Sequence, residues 1–473
     1  MTVPGSLFTP IIKKSRGAAL VEIENSALFD SANSEYLSRT PSSAGNRDTW
    51  TFSAWVNTAS RANGQTLFSA GSNDSNGTTL WSYSTNGALQ YRHRDGGSAT
   101  DNIITTPLFR DIGWYHIVFA VDTTQPVETN RVRIYVNGVA ITDFSTSNYP
   151  AQNADTDVNS TVAHHIGATT AVATEVDGYI AETVLIDGLQ LTPTSFGEFD
   201  ETGLYWTPKS STDIKDLTFG TNGFYLNNVT NAQTDASGNG NNFTNNNTVV
   251  TSTHTPSNSH GLFNPIETPR GTPVISNGNR SCTVNAAYTE NAGTTLFIDA
   301  DTTTGFYYEY TIDTTTPNGP ITGLQSVDLA LGYAGNGATD AGLNCPSGSA
   351  FTSRQNSSNS AIPGAATCVN GIVLKIAVKN GKVYYGDVGG SWWNSGNPVE
   401  ETGAIYSNLS GLYRFTVSNS LANTVKVTLN MGDDPWGDTA PTGYLPVSTT
   451  GIAAETTRTA SDTNKYFQTV LYE

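Results

Sequence analysis

The chain has 473 residues, of which 14% are charged, and it holds 45 Gly but only 23 Lys and Arg together. Coiled coils and helical repeats need Ala, Glu, Lys and Leu in bulk, so this composition excludes them. The net charge of −18 argues against nucleic acid and anionic membranes as partners. At about 150 residues per domain the length predicts two or three domains. The abundance of Thr, Ser, Asn and Gly predicts an all-β fold.

Short strand patterns separated by turn residues fill the first part of the chain. They are Trp50–Asn57, Thr79–Ser84, Leu89–Arg94, Trp114–Asp122, Arg131–Ile141 and Gly178–Asp187. Within Arg131–Ile141, the dipeptide Asn137-Gly138 supplies the two positive-φ residues that a type I′ hairpin turn requires. Antiparallel strands on both sides of one core predict a β-sandwich.

The composition changes after residue 200. The Asn- and Gly-rich stretch Asp235–Asn247 predicts a linker or an extended wrapping segment. Strand patterns then return at Gly305–Asp313, Val327–Tyr333, Ile372–Asp387, Leu412–Val417 and Val425–Met431. Asn380-Gly381 predicts a second type I′ hairpin. The sequence therefore predicts two antiparallel β-sandwiches in series.

Five motifs in the first half resemble the laminin-G-like, concanavalin-type jelly-roll domain. They are YLSRTP at 36–41, TWTFSAWV at 49–56, GWYHIV at 113–118, RIYVNG at 133–138 and GYIAE at 178–182. The resemblance covers roughly residues 26 to 200 and implies a jelly-roll sandwich there.

Motifs in the second half resemble a block found in structural proteins of tailed phages, where it leads into a SPRY-like sandwich. They are GTNGFYL at 220–226, DASGNGN at 235–241, TPSN at 255–258, NMGDDPW at 430–436 and APTGY at 440–444. Met431 departs from that family, which usually has an aromatic residue there. The domains implied are an N-terminal arm (1–25), a laminin-G-like sandwich (26–200), a linker or wrapping segment (201–253), a SPRY-like sandwich (254–452) and a tail with a terminal strand (453–473).

The resemblance implies a virion protein made in the host bacterial cytoplasm, with other virion proteins as partners. We expect a non-enzymatic tail fibre or fibre-like appendage that recognises a host-surface glycan or protein through loops at the sandwich ends. A homo-oligomer is expected, with a trimer as the preferred state, because the terminal strand Tyr466–Tyr472 offers an edge for pairing. The alternatives are a capsid or tail decoration protein without a ligand, and a polysaccharide depolymerase.

Catalytic chemistry has little support in the residues. Glu175 and Asp177 have the even spacing that a retaining glycosidase needs along one strand, but Glu182 falls on the opposite face. No nucleophile elbow, phosphate-binding loop or zinc motif occurs, and His164 and His165 are predicted to point to opposite sides of a strand. No catalytic residue is therefore assigned.

Calcium stays open as a ligand, and no cofactor is required. Asp155–Asn159 begins like an EF-hand loop, but Ser160 replaces the required Gly and Ile166 stands at the position of the bidentate Glu. A looser oxygen cage is the remaining form of a metal site. Of the three cysteines, Cys345 and Cys368 could pair, but buried free thiols are expected.

Aromatic residues beside polar ones provide the candidate ligand sites, because sugars stack on aromatic faces while amides bind their hydroxyls. The best constellation is the loop that holds Trp392, Trp393, Asn394 and Asn397, with one Trp plugging a sandwich end as the alternative. A second candidate set lies in the first sandwich and consists of Trp81, Tyr83, Tyr91 and Arg92. The basic arm Lys13–Arg16 could dock on an acidic virion surface or be a frayed terminus.

Overall fold

The structure is a computed structural model that describes residues 21–453, apart from residues 60–63, 82–86, 110–111, 202, 204, 267–270, 286–289, 315–318, 347 and 420–423. The basic arm, the terminal strand and Tyr83 lie outside the described residues. The described chain divides into two compact units, the first ending at Ser257 and the second beginning at Asn258. Nearly all regular structure is β-strand, which confirms the predicted fold class. Neither described helix is long or apolar enough to cross a bilayer.

The strands of the first unit are numbered in chain order. They are β1 Ser26–Phe29, β2 Tyr36–Arg39, β3 Thr49–Thr58, β4 Thr66–Asn73, β5 Asn76–Trp81, β6 Ala88–Asp95, β7 Ser98–Leu108, β8 Tyr115–Asp122, β9 Val132–Val136, β10 Val139–Ala140, β11 Phe144–Asn148, β12 Ala163–Ile166, β13 Gly178–Asp187, β14 Gly197–Phe199, β15 Trp206–Pro208, β16 Phe224–Leu226, β17 Thr244–Asn246 and β18 Val250–Ser252. The helical segments are α1 Ser211–Lys215 and the 3₁₀ turns Ser31–Asn33, Glu128–Asn130 and Pro193–Ser195.

These strands form two antiparallel sheets and one short ribbon. Sheet A has the order β10-β9-β8-β3-β13-β1-β18, with β16 beside β13, and sheet B has the order β11-β7-β6-β5-β4-β12-β2-β17. The core lies between the sheets, where Phe52 of sheet A stacks on Phe68 of sheet B with ring centroids 5.0 Å apart. Asn137 and Gly138 have φ values of 48° and 79°, which confirms the predicted hairpin turn between β9 and β10.

The stretch predicted to be a linker or a wrapping segment contributes strands to both sheets of the first unit. β16 pairs with β13, β17 pairs with β2, and β18 pairs with β1. The Asp235 carboxylate stabilises its Gly-rich loop by accepting hydrogen bonds from the backbone N–H groups of Tyr225, Ser237 and Asn241, at 2.9, 2.9 and 2.8 Å. The first unit therefore extends beyond residue 200.

The second unit holds the remaining strands. They are β19 Val274–Ser276, β20 Ser281–Val284, β21 Asn291–Gly293, β22 Ile298–Asp299, β23 Gly305–Thr314, β24 Pro320–Ser326, β25 Ala341–Asn344, β26 Thr352–Gln355, β27 Ser358–Ala361, β28 Ile372–Lys379, β29 Lys382–Asp387, β30 Leu412–Asn419, β31 Val425–Asn430 and β32 Tyr444–Pro446. The helical segments are the 3₁₀ turn Trp393–Ser395 and α2 Thr449–Ala453.

Two sheets again enclose the core of this unit. Sheet C has the order β19-β20-β31-β23-β28-β29, and sheet D has the order β21-β30-β24-β25-β26-β27. β32 joins sheet C in parallel with β23, and β22 joins sheet D beside β30. Tyr310 of sheet C and Phe415 of sheet D meet in the core with centroids 5.0 Å apart. Asn380 and Gly381 have φ values of 49° and 71°, which confirms the second predicted hairpin turn.

One predicted strand is wrong. The segment Val327–Tyr333 forms turns, and the strand is the preceding segment β24, whose pairing with β30 ends at Ser326. The Leu329 N–H then bonds the Ser326 carbonyl at 3.2 Å, and the Leu329 carbonyl accepts from Arg414 at 2.7 Å. The alternating apolar pattern misled the prediction because no neighbouring strand continues past Ser326, and Leu329 is 39% exposed.

The expectation of free thiols is wrong for Cys345 and Cys368, which form a disulfide with their Cα atoms 5.6 Å apart. Cys345 directly follows β25, whereas Cys368 follows the hairpin β26–β27. Cys368 also bonds the backbone that follows Cys345, because the Cys368 N–H donates to Ser349 and the Gly348 N–H donates to Cys368. The hairpin β26–β27 brings the chain back beside the end of β25, so the two cysteines meet although 23 residues of sequence separate them. The sequence alone does not reveal this return. Cys282 is a buried free thiol, as expected.

Candidate functional site

The outer face of sheet B carries a continuous row of polar side chains. Strand registers align these residues directly opposite one another across six neighbouring strands. From β7 to β2, this polar row consists of Asn102, Arg92, Thr79, Ser69, His165 and Ser38. Side chains on the other face of the same strands, such as Tyr91 and Phe68, are fully buried in the core. Strand alternation therefore gives this sheet one apolar face and one polar face.

Trp81 and Arg92 form the centre of this outer face. The Arg92 guanidinium carbon lies 4.9 Å from the Trp81 ring centroid, a cation–π geometry. Trp81 is partly exposed, and its indole N–H has no hydrogen-bond partner among the described residues. Burial, and then the nearby Arg94, lower the pKa of Arg92 to about 10. The pair thus places an aromatic ring and a guanidinium on one face, while the indole nitrogen and the Arg92 Nε atom are themselves buried.

Tyr91 does not belong to this pair. It precedes Arg92 on β6, so it points into the core, where its ring lies 6.5 Å from that of Trp50. Its side chain is 0% exposed. The prediction that Tyr91 and Arg92 share a ligand surface is therefore wrong, because adjacent strand residues face opposite sides of a sheet.

The two ends of the polar row hold further hydrogen-bonding groups. At one end, the Gln90 amide donates to the Asn102 amide oxygen at 2.6 Å. At the other end, the His165 ring packs against Tyr36 with centroids 4.9 Å apart, while its Nδ1 bonds the Thr169 carbonyl at 2.9 Å. Because Nδ1 faces a carbonyl, it carries the proton and Nε2 remains an acceptor. This row could not be predicted from the sequence, because its members come from six separate strands.

In the second unit, the two adjacent tryptophans point in opposite directions. Trp393 is 2% exposed, lies 5.2 Å from the Phe351 ring, and donates its indole N–H to Asp387 Oδ1 at 2.8 Å. Trp392 lies on the outer face of sheet C, partly exposed, with the Lys375 ammonium 5.1 Å from its ring. Trp393 therefore plugs the core, and Trp392 alone can reach a ligand.

The two asparagines of this loop hold its backbone. Asn394 adopts a left-handed φ of 56°, and its amide donates to the carbonyls of Gly403 and Ala404 at 3.3 and 3.4 Å. The Asn397 side-chain oxygen accepts from the backbone N–H groups of Val399 and Glu400, both at 3.1 Å. Both side chains are committed to loop geometry.

A polar anchor on the outer face of sheet C was not predicted. The Glu309 carboxylate accepts from the Tyr307 hydroxyl at 2.6 Å and from the N–H groups of Gly437 and Asp438 at 2.8 and 3.0 Å. Lys375 donates to Asp438 at 2.6 Å. These contacts fasten the segment after NMGDDPW onto the sheet, so this signature has a structural role.

The carboxylates considered for glycoside hydrolysis are mostly buried. Asp177 is 3% exposed and Glu182 is 9% exposed. Glu182 sits at a β-bulge of β13 with a left-handed φ of 52°, and the Tyr225 hydroxyl donates to its carboxylate. Burial raises the pKa of Glu182 to about 7. Its partner is thus a tyrosine of the same unit rather than a second carboxyl.

A serine and a histidine also meet inside the first unit. Ser53 Oγ and His116 Nε2 lie 2.9 Å apart, and His116 Nδ1 accepts from the Trp206 indole N–H at 3.0 Å. The imidazole proton therefore sits on Nε2 and points at the serine, so His116 is not placed to act as its base. Burial lowers the pKa of His116 to about 3. This is a structural pair.

The polar side chains of the segment considered for calcium contact other side chains of the first unit. Asp155 forms an ion pair with Arg47 at 3.0 Å, and Asp157 lies 3.7 Å from the His93 ring nitrogen. Asn159 is fully buried and donates to Asp187 at 3.1 Å. No group of three His, Cys, Asp or Glu side chains placed to hold a metal occurs in the described part of the chain. His164 faces Phe68 in the core while His165 faces outward, as predicted.

Comparisons with known proteins bear on the first unit. Residues 31–194 match the model of the concanavalin A-like lectin/glucanases superfamily, of laminin G type. No curated protein matches the chain.

Solved structures similar to the chain include the following three. A pair of laminin G domains, LG4-5 of the mouse laminin α1 chain, is 11% identical over 92% of this chain and 91% of its own, with a TM-score of 0.29. The pentraxin of Limulus polyphemus is 15% identical over 36% of this chain and 80% of its own, with a TM-score of 0.27. Domain 4 of the arabinanase AbnA from Geobacillus stearothermophilus, solved with arabinotriose, is 20% identical over 32% of this chain and 65% of its own, with a TM-score of 0.25. The family-model match over residues 31–194 shows that the chain contains a laminin G-like, concanavalin-type domain.

Proposed function

We propose that this chain is a non-enzymatic surface protein of a tailed-phage virion, a tail fibre or fibre-like appendage, that binds a host-surface glycan. Two lines of support carry the proposal. The motifs of residues 220–265 and 430–444 resemble phage structural proteins with a SPRY-like sandwich, and laminin G-like domains often bind carbohydrates or proteins.

The outer face of sheet B, rather than a loop at a sandwich end, is the proposed binding surface. The observation that carries this choice is the partly exposed Trp81 ring, with the Arg92 guanidinium carbon 4.9 Å from its centroid, beside the polar row. An aromatic face next to amide and hydroxyl groups matches the apolar and polar sides of a sugar ring. In the loop of the second unit, by contrast, Trp393 is buried in the core, and the partly exposed Trp392 packs against Tyr307 and Tyr384.

The test measures binding of the fluorescently labelled full chain to host cells and its competition with phage adsorption. Trp81→Ala is expected to weaken binding at least tenfold, whereas Trp392→Ala is expected to leave it unchanged. A loss of host-cell binding in Trp392→Ala but not in Trp81→Ala would place the binding site in the second unit instead.

Further outcomes overturn the proposed function itself. If the wild-type chain neither binds cells nor competes with phage, recognition is wrong. Electron microscopy of the intact particle would then test whether the chain is a decoration protein, which would be located on the capsid or tail. Release of reducing ends from host polysaccharide, lost on Glu175→Gln, would overturn the non-enzymatic assignment.

A further inference from the structure

Arg92 differs from every other arginine in the described part of the chain. The others each donate a hydrogen bond or form an ion pair with a described group. They are Arg39, Arg47, Arg94, Arg131, Arg133, Arg280, Arg354 and Arg414. Arg92 contacts the Trp81 ring and makes neither type of bond with a described residue. Its Nε atom is buried and has no partner there.

The neighbours of Arg92 compensate its charge only in part, since the Asp74 carboxylate attracts the guanidinium without forming an ion pair with it. Arg94 lies two residues along β6, on the same face, and its Nε is also buried without a described partner. Its terminal nitrogen donates to the backbone carbonyl of Asp74 at 3.2 Å. The Asp74 carboxylate instead accepts from the Ala171 N–H at 3.1 Å, and from Thr169 and Thr170 at 3.4 and 3.5 Å.

An unpaired guanidinium here has an energetic cost. Arg92 is partly buried, and removing a charge from water without a partner is unfavourable. The chain has 41 Asp and Glu against 23 Lys and Arg, so carboxylate partners are abundant in the sequence. Arg92 and Arg94, which share one face of β6, nevertheless form no ion pair among the described residues.

The geometry points to an anion site: we infer that Arg92, with Arg94 beside it, binds the carboxylate or sulfate group of an acidic polysaccharide on the outer face of sheet B. This inference rests on the proposed function and names its ligand class. The planar guanidinium matches two oxygens of either group, and its contact with Trp81 fixes its plane in advance. Asn102, which flanks Arg92 in the polar row and is partly exposed, supplies an amide group for a neighbouring sugar hydroxyl.

The test measures binding of the full chain to three soluble polymers by biolayer interferometry. Polygalacturonate presents carboxylates, dextran sulfate presents sulfates, and dextran is neutral. We expect binding to at least one acidic polymer, at least tenfold weaker for Arg92→Gln and intermediate for Arg92→Lys, which keeps the charge but loses the planar fork. Preference between the two acidic polymers identifies the anionic group.

Arg133→Gln is the matched control, because Arg133 is an exposed arginine on β9 of sheet A. It is expected to bind like the wild type. Thermal unfolding of each variant establishes that it is folded. Equal losses in Arg92→Gln and Arg133→Gln would indicate general charge attraction and would overturn the inference.

Failure of the inference can be distinguished from failure of the proposed function. If dextran binds as well as the acidic polymers, or none binds while host-cell binding persists, the anion site is wrong and the proposed function stands. If host-cell binding is absent as well, both are wrong. Host-cell binding that is unchanged by Arg92→Gln would also overturn the anion site.

Discussion

Two adjacent residues, Trp392 and Trp393, have opposite roles. Trp393 fills the core of the second unit beside Phe351, and its indole N–H bonds Asp387, whereas Trp392 lies on the outer face of sheet C next to Lys375. The 3₁₀ turn Trp393–Ser395 lets the chain place one ring inside and the next outside. Their substitutions should therefore differ in effect.

Trp393→Ala is expected to destabilise the protein by about 3–5 kcal/mol, because it leaves a cavity in the core and removes the bond to Asp387. Trp392→Ala should change stability by about 1 kcal/mol or less, as a partly exposed side chain does. Urea unfolding followed by circular dichroism measures both. Equal effects of the two substitutions would contradict the assignment of Trp393 to the core.

Single residues divide into those that the sequence could place and those that it could not. Asn137-Gly138 and Asn380-Gly381 were predictable, because the type I′ turn selects that dipeptide locally. Arg92 was named from the sequence as a candidate ligand residue, but its contacts depend on strands distant in sequence. The pairing of Cys345 with Cys368 depends in the same way on a hairpin that lies between them.

At the scale of elements, the segment that follows residue 200 determines where the first unit ends. Its strands pair with β1, β2 and β13, and Tyr225 packs with Val184 and Ile186 against the outer face of sheet A. Composition predicted a linker or wrapping segment because Asn and Gly dominate it. Composition could not reveal that Asp235 and short strand pairings order such a polar stretch.

Truncation tests this boundary. A fragment of residues 17–257 is expected to unfold in one cooperative transition, whereas residues 17–200 should be unfolded or aggregated, because strands β1, β2 and β13 lose partners. Analytical size exclusion and thermal unfolding distinguish the outcomes. A cooperative fragment 17–200 would show that the later segment is dispensable for folding.

At the scale of the whole molecule, buried titratable groups link stability to pH. In the first unit, burial lowers the pKa of His116 to about 3 and that of His164 to about 4, and it raises the pKa of Glu182 to about 7. In the second unit, burial lowers the pKa of His260 to about 3. All four groups bind protons differently in the folded and unfolded chains.

The signs oppose one another in the first unit. Each histidine contributes stability that is complete above its ordinary pKa of 6.5 and is lost as pH falls toward the folded value. Glu182 acts oppositely between pH 7 and its ordinary pKa of 4.5, since the folded chain keeps a proton that the unfolded chain releases. Of these three groups alone, two histidines against one glutamate leave a net loss of about 1.4 kcal/mol per pH unit over pH 6.5 to 4.5.

Glu182→Gln removes the opposing contribution. The loss of stability of the first unit should then steepen by about 1.4 kcal/mol per pH unit in the same window. Urea unfolding at pH 6.5, 5.5 and 4.8 measures the slope. The control is Glu198→Gln, which alters an exposed carboxylate of β14. An unchanged slope in Glu182→Gln would contradict a protonated, buried Glu182.

The whole-molecule fold class was the most predictable property, because hydrophobic alternation and turn residues recur along the entire chain. The failure at Val327–Tyr333 shows the limit, since alternation there lacks a neighbouring strand to pair with. The outer face of sheet B was not predictable as a site, because its polar row exists only once six strands are in register.

The pairing of β1 with β18 has a mechanical consequence. The Ile23 N–H donates to Ser257 Oγ at 2.9 Å across 234 residues of sequence, and Ser26 pairs with Ser252 just inside this contact. The chain therefore enters and leaves the first unit at one point. A stretching force applied at Ile23 and Ser257 would break the hydrogen bonds of β1 and β18 one after another, like a zipper, rather than all together in shear. Tension along the chain thus opens this unit from its own ends first.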